Sequence, residues 1–195
     1  MSMSDVPASP EAFFTTYLPE RLKATALPQV SSVGSVVFSV PGSGAYSFRV
    51  VSGTLSVESA ARTDAIVTVT IPEQSFEILV VRGVALLDGQ EVDPQRQLLA
   101  FRALALDAER ANLIRSVKGT VAFVVVDGAQ THRAYVTPGT SSVNTAAPEC
   151  EVACDASVFW DLQSGKQNPF ELLMAGKIRI SGDAQIPMAM SSLFA

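Results

Sequence analysis

Alternating apolar and polar positions divide much of the chain into short segments typical of β-strands. These segments are rich in Val, Phe, Tyr and Thr, and turns of Gly, Pro and Ser separate them. Their short connections predict antiparallel neighbours. The predicted strands are Ser35–Val40, Ala45–Val51, Leu55–Ser59, Ala65–Ile71, Thr120–Val126, Thr131–Thr137, Ser141–Thr145, Glu151–Asp155 and Lys177–Ser181, the last with Ile178 and Ile180 facing inward.

Apolar residues spaced three and four apart predict helices between and beside these strands. One helix begins after Pro72 and ends by Asp88-Gly89. Arg102–Leu106 alternates in a way that fits a helix or a strand, and the repeat described next favours a strand. The other predicted helices are Pro10–Arg21, Ala108–Val117, a helix from Ser157 onward, Pro169–Ala175 and Ala184–Phe194, the last with Asp183 as its N-cap.

The segment that begins at Gly34 returns near Gly119 with small, apolar and aromatic residues in the same order. Chance similarity between strands rich in Val and Ala is the alternative, but the shared order and spacing favour an internal repeat. We therefore predict two units, residues 1–117 and 118–195. A leading helix begins the first unit, and the helix Ala108–Val117 closes the first unit and leads into the second. Matched residues lie 84 to 86 positions apart: Gly34, Val36 and Phe38 match Gly119, Val121 and Phe123, Gly44, Ala45 and Arg49 match Gly128, Ala129 and Arg133, and Gly53–Ala61 matches Gly139–Ala147. Farther on, Asp93-Pro94 matches Asn168-Pro169 at an offset of 75 (169 − 94), which implies an insertion in the first copy.

The charge balance excludes a nucleic-acid binder. The chain has 14 Lys and Arg against 19 Asp and Glu, a net charge of −5, and its cations form no cluster that could follow a phosphate backbone. The single histidine, His132, excludes a site that needs two imidazoles, and no Ser or Cys nucleophile lies in a recognisable motif. No glycine-rich loop precedes a helix as a phosphate site requires. We predict no catalytic, metal-binding or cofactor-binding residues, and hence no enzyme.

Compartment and cysteine chemistry follow from two further observations. No stretch reaches the ~18 apolar residues of a membrane-spanning helix, and Met1–Pro10 does not resemble a secretion signal, so we expect a cytoplasmic protein. Cys150 and Cys154 lie four residues apart on one predicted strand, about 13 Å from each other and too far for a disulfide. We expect small buried apolar side chains rather than a metal pair.

The last part of the chain carries a string of residues that resembles a known family. The string is Gly165-Lys166, Asn168-Pro169, Leu173-Met174, Gly176-Lys177-Ile178, Ile180 and Gly182-Asp183, followed by an apolar helix. It resembles the C-terminal motif of the sterol carrier protein type 2 family, and it lies in the second copy. The first copy resembles the family less closely, because Phe101-Arg102 and Asp107-Ala108 stand where the family has glycine-lysine and glycine-aspartate.

The resemblance implies an α+β fold in which antiparallel-rich curved sheets are covered on one side by helices, in two sterol-carrier-like repeats. It also implies an apolar tunnel that binds or transfers a lipid-like small molecule, a sterol, fatty acyl chain or isoprenoid, without converting it. The candidates for lipid contact are the large apolar residues of the last three predicted helices: Phe159, Trp160, Leu162, Phe170, Leu173, Met174, Ile186, Met188, Met190, Leu193 and Phe194.

Alternatives remain open at this level. The same apolar residues could fill a core, in which case the protein is a structural or interaction module, or it assists an enzyme of lipid or isoprenoid metabolism in trans. The sequence leaves open whether the first repeat keeps a tunnel. It also leaves open transient contact with a membrane and the formation of homo-oligomers.

Overall fold

The computed structural model describes residues 6–22, 31–84, 103–164 and 166–190. Its strands are β1 Ser35–Val40, β2 Gly44–Val51, β3 Thr54–Glu58, β4 Ala65–Thr70, β5 Val121–Asp127, β6 Gln130–Pro138, β7 Cys150–Asp155 and β8 Ile178–Gly182. Its helices are α1 (Pro10–Ala12, the π-helical turn Phe13–Tyr17, and Leu18–Leu22), α2 (Glu73–Phe76 and the π-helical Glu77–Arg82), α3 Ala108–Ser116, α4 Ala156–Gln163, α5 Pro169–Met174 and α6 Gln185–Ala189.

Polar residues fix where three of the helices begin. Ser9, Asp107 and Asn168 precede α1, α3 and α5, and the side chain of each accepts a hydrogen bond from a backbone N–H of the first turn. Pro10 and Pro169 occupy first helical positions, where a missing N–H leaves no helical hydrogen bond unmade. The predicted starts of these three helices are confirmed. The predicted end of the last helix, at Phe194, lies outside the described residues.

The eight strands form one sheet in the order β3-β2-β1-β4-β6-β5-β7-β8. In the first half, β1 is antiparallel to β2 and parallel to β4; in the second half, β5 is antiparallel to β6 and parallel to β7. The halves meet where β4 pairs with β6 in antiparallel orientation. The predicted α+β class is confirmed, and the two halves share a pairing pattern as the repeat predicts. The two sheets expected from the two repeats are joined into one sheet of eight strands. The boundary between residues 117 and 118 remains a prediction.

Two predicted strands are wrong, and the β4–β6 junction explains both. Residues 141–145 form no strand, and residues 103–105 form a 3₁₀ turn where a strand over Arg102–Leu106 was expected, with Arg102 itself outside the described residues. In the first half β3 pairs with β2, so the matching segment 141–145 would need the free edge of β6. In the second half β8 pairs with β7, so the segment Arg102–Leu106 would need the free edge of β4. Because β4 and β6 pair with each other, neither edge is free.

The second hairpin is longer than the repeat predicts. Phe48 lies opposite Val36, and Val136 lies opposite Val121, so the structural counterpart of Phe48 is Val136, 88 positions later (136 − 48). The strands β5 and β6 extend about two residues farther toward their turn than β1 and β2 do. The offset of 84 read from the sequence does not allow for these extra residues. The predicted match of Arg49 with Arg133 is therefore wrong in register.

All the described helices pack on one face of the sheet. On this face the first half is filled by aromatic rings whose centroids lie 5.0–5.9 Å apart. Their tilted, stacked and edge-on contacts are those that aromatic side chains favour in cores. The rings belong to Phe13, Phe14, Phe38, Tyr46, Phe48 and Phe76, and all six residues are buried.

Candidate functional site

On the helix-covered face, the side chains of the second half form three parallel rows across four strands. The pairing registers define them, one residue from each of β6, β5, β7 and β8. The first row is Val136, Val121, Cys150 and Gly182; the middle row is Ala134, Phe123, Val152 and Ile180; the third row is His132, Val125, Cys154 and Ile178. At about 4.8 Å per strand, each row is about 14 Å long.

The middle row is accessible, whereas the rows beside it are mostly buried. Ala134, Phe123 and Val152 are only half-buried, and Ile180 is 37% exposed. The third row is buried throughout, and Val121 and Cys150 at the centre of the first row are buried as well. A filled core buries its middle at least as well as its margins. We call the half-exposed middle row and the space above it the cleft, a candidate seat for an apolar ligand, and the four residues of that row its floor.

Helices cover the two rows that flank the cleft. Val158 of α4 and Leu172 of α5 pack with Cys154 and Ile178 of the third row. On the other side, Ile186 and Met190, in and just after α6, belong to the same buried cluster as Val121 and Cys150. The cleft thus lies between α4 and α5 on one side and α6 on the other.

Two aromatic positions of the first half are occupied by smaller residues in the second. Opposite Phe38 stands Tyr46, whereas opposite its counterpart Phe123 stands Ala134. By the same registers, Val136 takes the place of Phe48. The first half fills this volume with rings, and the second half leaves it without them.

The Gly182-Asp183 pair fixes the position of α6. Gly182 has φ +83°, and a Cβ at this position would collide with the carbonyl of Glu149. The backbone N–H of Asp183 donates to that same carbonyl at 2.8 Å, and its carboxylate accepts from the N–H of Gln185 at 2.9 Å. Glycine is thus the residue that lets β8 pass close to Glu149 before α6 begins.

The carboxylate of Glu149 holds the strand ends beneath α6 together. It accepts the backbone N–H of Thr120 at 2.6 Å and the side-chain amide of Asn144 at 3.0 Å. These hydrogen bonds favour the charged form and hold the pKa of Glu149 below its ordinary value, with the Thr120 bond as the largest cause.

The residues predicted to contact lipid fall into four groups. The assignment of lipid contact to them remains a prediction. Phe159, Trp160 and Leu162 are half-buried on α4; Ile186 and Met190 are buried in the core; Phe170, Leu173, Met174 and Met188 are exposed; Leu193 and Phe194 lie outside the described residues. The floor residues Phe123, Ala134, Val152 and Ile180 were not predicted to contact lipid, because strand alternation places them on one face of the sheet without showing whether helices cover them.

His132 is the one histidine of the chain, and it lies at the end of the third row. It is buried on the same face as Ala134, two residues along β6, and its Nε2 has no hydrogen-bond partner among the described residues. A buried ring nitrogen without a partner is costly, and it is a polar atom beside an otherwise apolar floor.

The two cysteines lie in the two rows that flank the middle row. Both are free and buried, as predicted. Burial raises the pKa of the Cys154 thiol to about 11, and burial also raises that of Cys150, with smaller contributions from the carboxylates of Asp183 and Glu151.

In the described part of the chain, no three His, Cys, Asp or Glu residues are grouped so that they could hold a metal ion. None of the described helices is long and apolar enough to cross a membrane.

Solved structures of sterol carrier proteins resemble this chain. Sterol carrier protein 2 like 2 of Aedes aegypti is 18% identical, with a TM-score of 0.35, over 60% of this chain and 94% of that one. The sterol carrier protein domain 2 of Helicoverpa armigera is 27% identical, with a TM-score of 0.34, over 54% of this chain and 91% of that one. Sterol carrier protein 2 of Aedes aegypti in complex with palmitate is 14% identical, with a TM-score of 0.34, over 49% and 86% of the two chains.

No curated protein matches the chain. The model of the SCP-2 sterol transfer family matches residues 100–195, which include β5 to β8, all four floor residues and the Gly182-Asp183 pair. This C-terminal part of the chain, just under half of its length, is therefore similar to the SCP-2 sterol transfer family.

Proposed function

We propose that the protein binds a lipid-like molecule in the cleft of its second half and carries it unchanged in the cytoplasm. The observation that supports the proposal is the accessible middle row between two largely buried rows. Its four side chains are all apolar, so a ligand seated on them gains by leaving water rather than by pairing charges. The match of residues 100–195 to the model of a sterol transfer family agrees with such a ligand.

The dimensions and composition of the cleft favour a long, flexible apolar group or a flat ring system. Burial contributes about 0.8 kcal/mol per methylene, so a 16-carbon chain gains on the order of 10 kcal/mol before ordering costs. Sterols, fatty acyl chains and isoprenoids all meet this requirement. Ile186 and Met190 beside the first row, and Phe159, Trp160 and Leu162 on α4, are the proposed walls.

One ligand per chain is the proposed stoichiometry. The aromatic rings that fill the first half occupy the volume that corresponds to the cleft, and all six residues are buried. We therefore assign the first half a structural role, in which it completes the sheet beside β6.

A titration of delipidated protein tests the proposal. A fluorescent fatty acid should bind saturably with one site per chain, and unlabelled palmitate, cholesterol or a prenyl alcohol should displace it according to the preferred class. Mass spectrometry of an organic extract of gently purified protein should show a bound lipid. Absence of saturable binding together with an empty extract would contradict the proposal, and two equivalent sites would contradict the structural role of the first half.

A further inference from the structure

His132 is a buried polar residue in apolar surroundings, at the β6 end of the cleft. Its side chain is 6% exposed, and its row continues with the uncharged side chains of Val125, Cys154 and Ile178. On β6 it lies two residues from Ala134, the first residue of the floor, so the two positions are about 7 Å apart on the same face of the sheet. The imidazole therefore borders the end of the cleft that lies farthest from the edge strand β8.

Two contacts of α2 place this helix over the histidine. Beyond the end of β4, the backbone N–H of Arg133 donates to the side-chain oxygen of Ser75, near the start of α2, at 3.1 Å. Near the other end of α2, the guanidinium of Arg82 pairs with the carboxylate of Asp127, the last residue of β5, at 3.2 Å. Helix α2 therefore runs along the β5–β6 hairpin and passes His132 between these two contacts.

Helix α4 meets α2 beside the same hairpin. A Cβ on Gly83, which follows α2, would lie 3.0 Å from the ring of Trp160 on α4, so a residue without a side chain lets the two helices approach closely. Helix α4 itself packs on β5 and β7. The inner end of the cleft is thus bordered by one helix from each half of the chain.

The Nε2 atom of His132 is one of two buried side-chain nitrogen or oxygen atoms that lack a hydrogen-bond partner in the described part of the chain. The other is Nε of Arg49, which lies 3.8 Å from a carboxylate oxygen of Asp64 and so has a counter-charge. The imidazole has no such neighbour among the described residues. Because buried polar groups are nearly always paired, an unpaired nitrogen at the end of an apolar site is suited to the polar part of a ligand.

We propose that Nε2 of His132 forms a hydrogen bond with the terminal oxygen of the ligand, a hydroxyl or a carboxyl group, at the inner end of the cleft. A ring nitrogen of imidazole donates or accepts according to its tautomer, so both groups are suitable partners. The apolar body of the ligand then lies along the floor toward Ile180, which is 37% exposed on the edge strand.

This orientation narrows the class of ligand. The preferred molecule is long and apolar with one free oxygen group at its end, and fully esterified lipids and hydrocarbons bind more weakly. The inference rests on the proposed function, since it requires a ligand in the cleft.

Two probes with the same chain and fluorophore test the role of the histidine. Pyrene-dodecanoic acid ends in a carboxyl group, whereas dodecylpyrene lacks it. Delipidated parent protein should bind the acid at least tenfold more tightly, as expected for one hydrogen bond in a buried site. Palmitic acid and hexadecanol should displace the acid probe, and their order distinguishes a carboxyl from a hydroxyl end group. Hexadecane should displace it at least tenfold more weakly, and equal displacement by hexadecane would overturn the proposal.

His132→Leu removes the nitrogen and keeps a buried side chain of similar size. Its affinities for the two probes should differ by less than about threefold, and its melting temperature should not fall, because no buried nitrogen is left unpaired. His132→Gln is the matched control, since its amide keeps a hydrogen-bonding group near the position of Nε2 and should retain most of the preference for the acid. If His132→Leu prefers the acid as strongly as the parent protein does, the role of His132 is refuted and binding in the cleft stands.

A measurement on the parent protein needs no variant. The chain has a single histidine, so the imidazole nitrogen signals in NMR spectra of untagged protein need no assignment. Saturation with palmitic acid should shift the Nε2 signal, and saturation with dodecylpyrene should leave it nearly unchanged. An Nε2 signal that does not respond to bound palmitic acid would overturn the proposal. Equal affinity of the parent for both probes refutes the hydrogen bond alone, whereas binding of neither probe refutes the proposed function and the hydrogen bond together.

Discussion

Replacing Ala134 by Phe should fill the cleft with a ring, as Tyr46 fills the corresponding place in the first half. Ala134 stands beside Phe123 on the floor, and its Cβ points to the helix-covered face. A phenyl group displaces about six methylene equivalents of ligand, which at about 0.8 kcal/mol each is about 5 kcal/mol, or more than three orders of magnitude in Kd. The free energy of unfolding should not fall, and should rise by up to ~2 kcal/mol, because the ring enters accessible space.

Two measurements on the same variant check this reasoning. Urea unfolding gives the change in stability, and titration with the fluorescent fatty acid gives the change in affinity. Ala122→Phe is the control, since Ala122 lies on the opposite face of β5 and is fully buried beside Val124 and Tyr135. Overpacking there should cost about 1–3 kcal/mol. If Ala134→Phe is as destabilising as this control and leaves fatty-acid affinity unchanged, the cleft is a filled core and the reasoning is refuted.

Three further predictions concern stability and reactivity. Phe14→Ala removes the ring at the centre of the aromatic core and should lower the free energy of unfolding in urea by about 3–5 kcal/mol, whereas Val51→Ala at an exposed position should change it by less than ~0.5 kcal/mol; similar values for both would contradict the filled first half. The folded pKa of Glu149 is lowered from 4.5, so the stability it contributes is complete above about pH 4.5 and is lost as pH falls through the folded pKa. Urea unfolding between neutral and acid pH should therefore show that Glu149→Gln loses less stability on acidification than the parent protein. Parallel plots of unfolding free energy against pH would count against the hydrogen bonds described. With the pKa of Cys154 at about 11, about one thiol in a thousand is ionised at pH 8, so Cys150 and Cys154 should react with a thiol reagent only after unfolding, and rapid labelling of the native protein would disprove their burial.

The strands and helices that the sequence predicted correctly are those whose pattern is local. β1 to β4 and α3, for example, follow from alternation, helical spacing and caps within a few residues. The two wrong strands, over Ser141–Thr145 and Arg102–Leu106, have the same local pattern, but each would need a sheet edge that the distant β4–β6 pairing occupies. No local pattern contains that information.

The site was predictable only in part for a related reason. Apolar residues on α4 and α6 mark the helices beside the cleft, yet whether a strand residue such as Val152 is covered depends on the space between helices that are far apart in sequence. The apolar residues Phe170, Leu173 and Met174 of α5 show the limit most clearly. Their spacing is that of a core-facing helix, and only the position of Leu172 against the sheet reveals that Phe170 and Met174 face outward.

The β4–β6 junction also gives the sheet a polarity. Because the halves share a pairing pattern, β7 corresponds to β4 and β2 corresponds to β6. The β4–β6 pairing therefore joins different edges of the two halves, head to tail, rather than the same edge of each as a two-fold axis would. Head-to-tail contacts that do not close propagate into filaments. Here β8 covers β7 and β3 covers β2. These two outer strands therefore act as terminators, and a chain that lost both would present complementary edges at its opposite ends and polymerise.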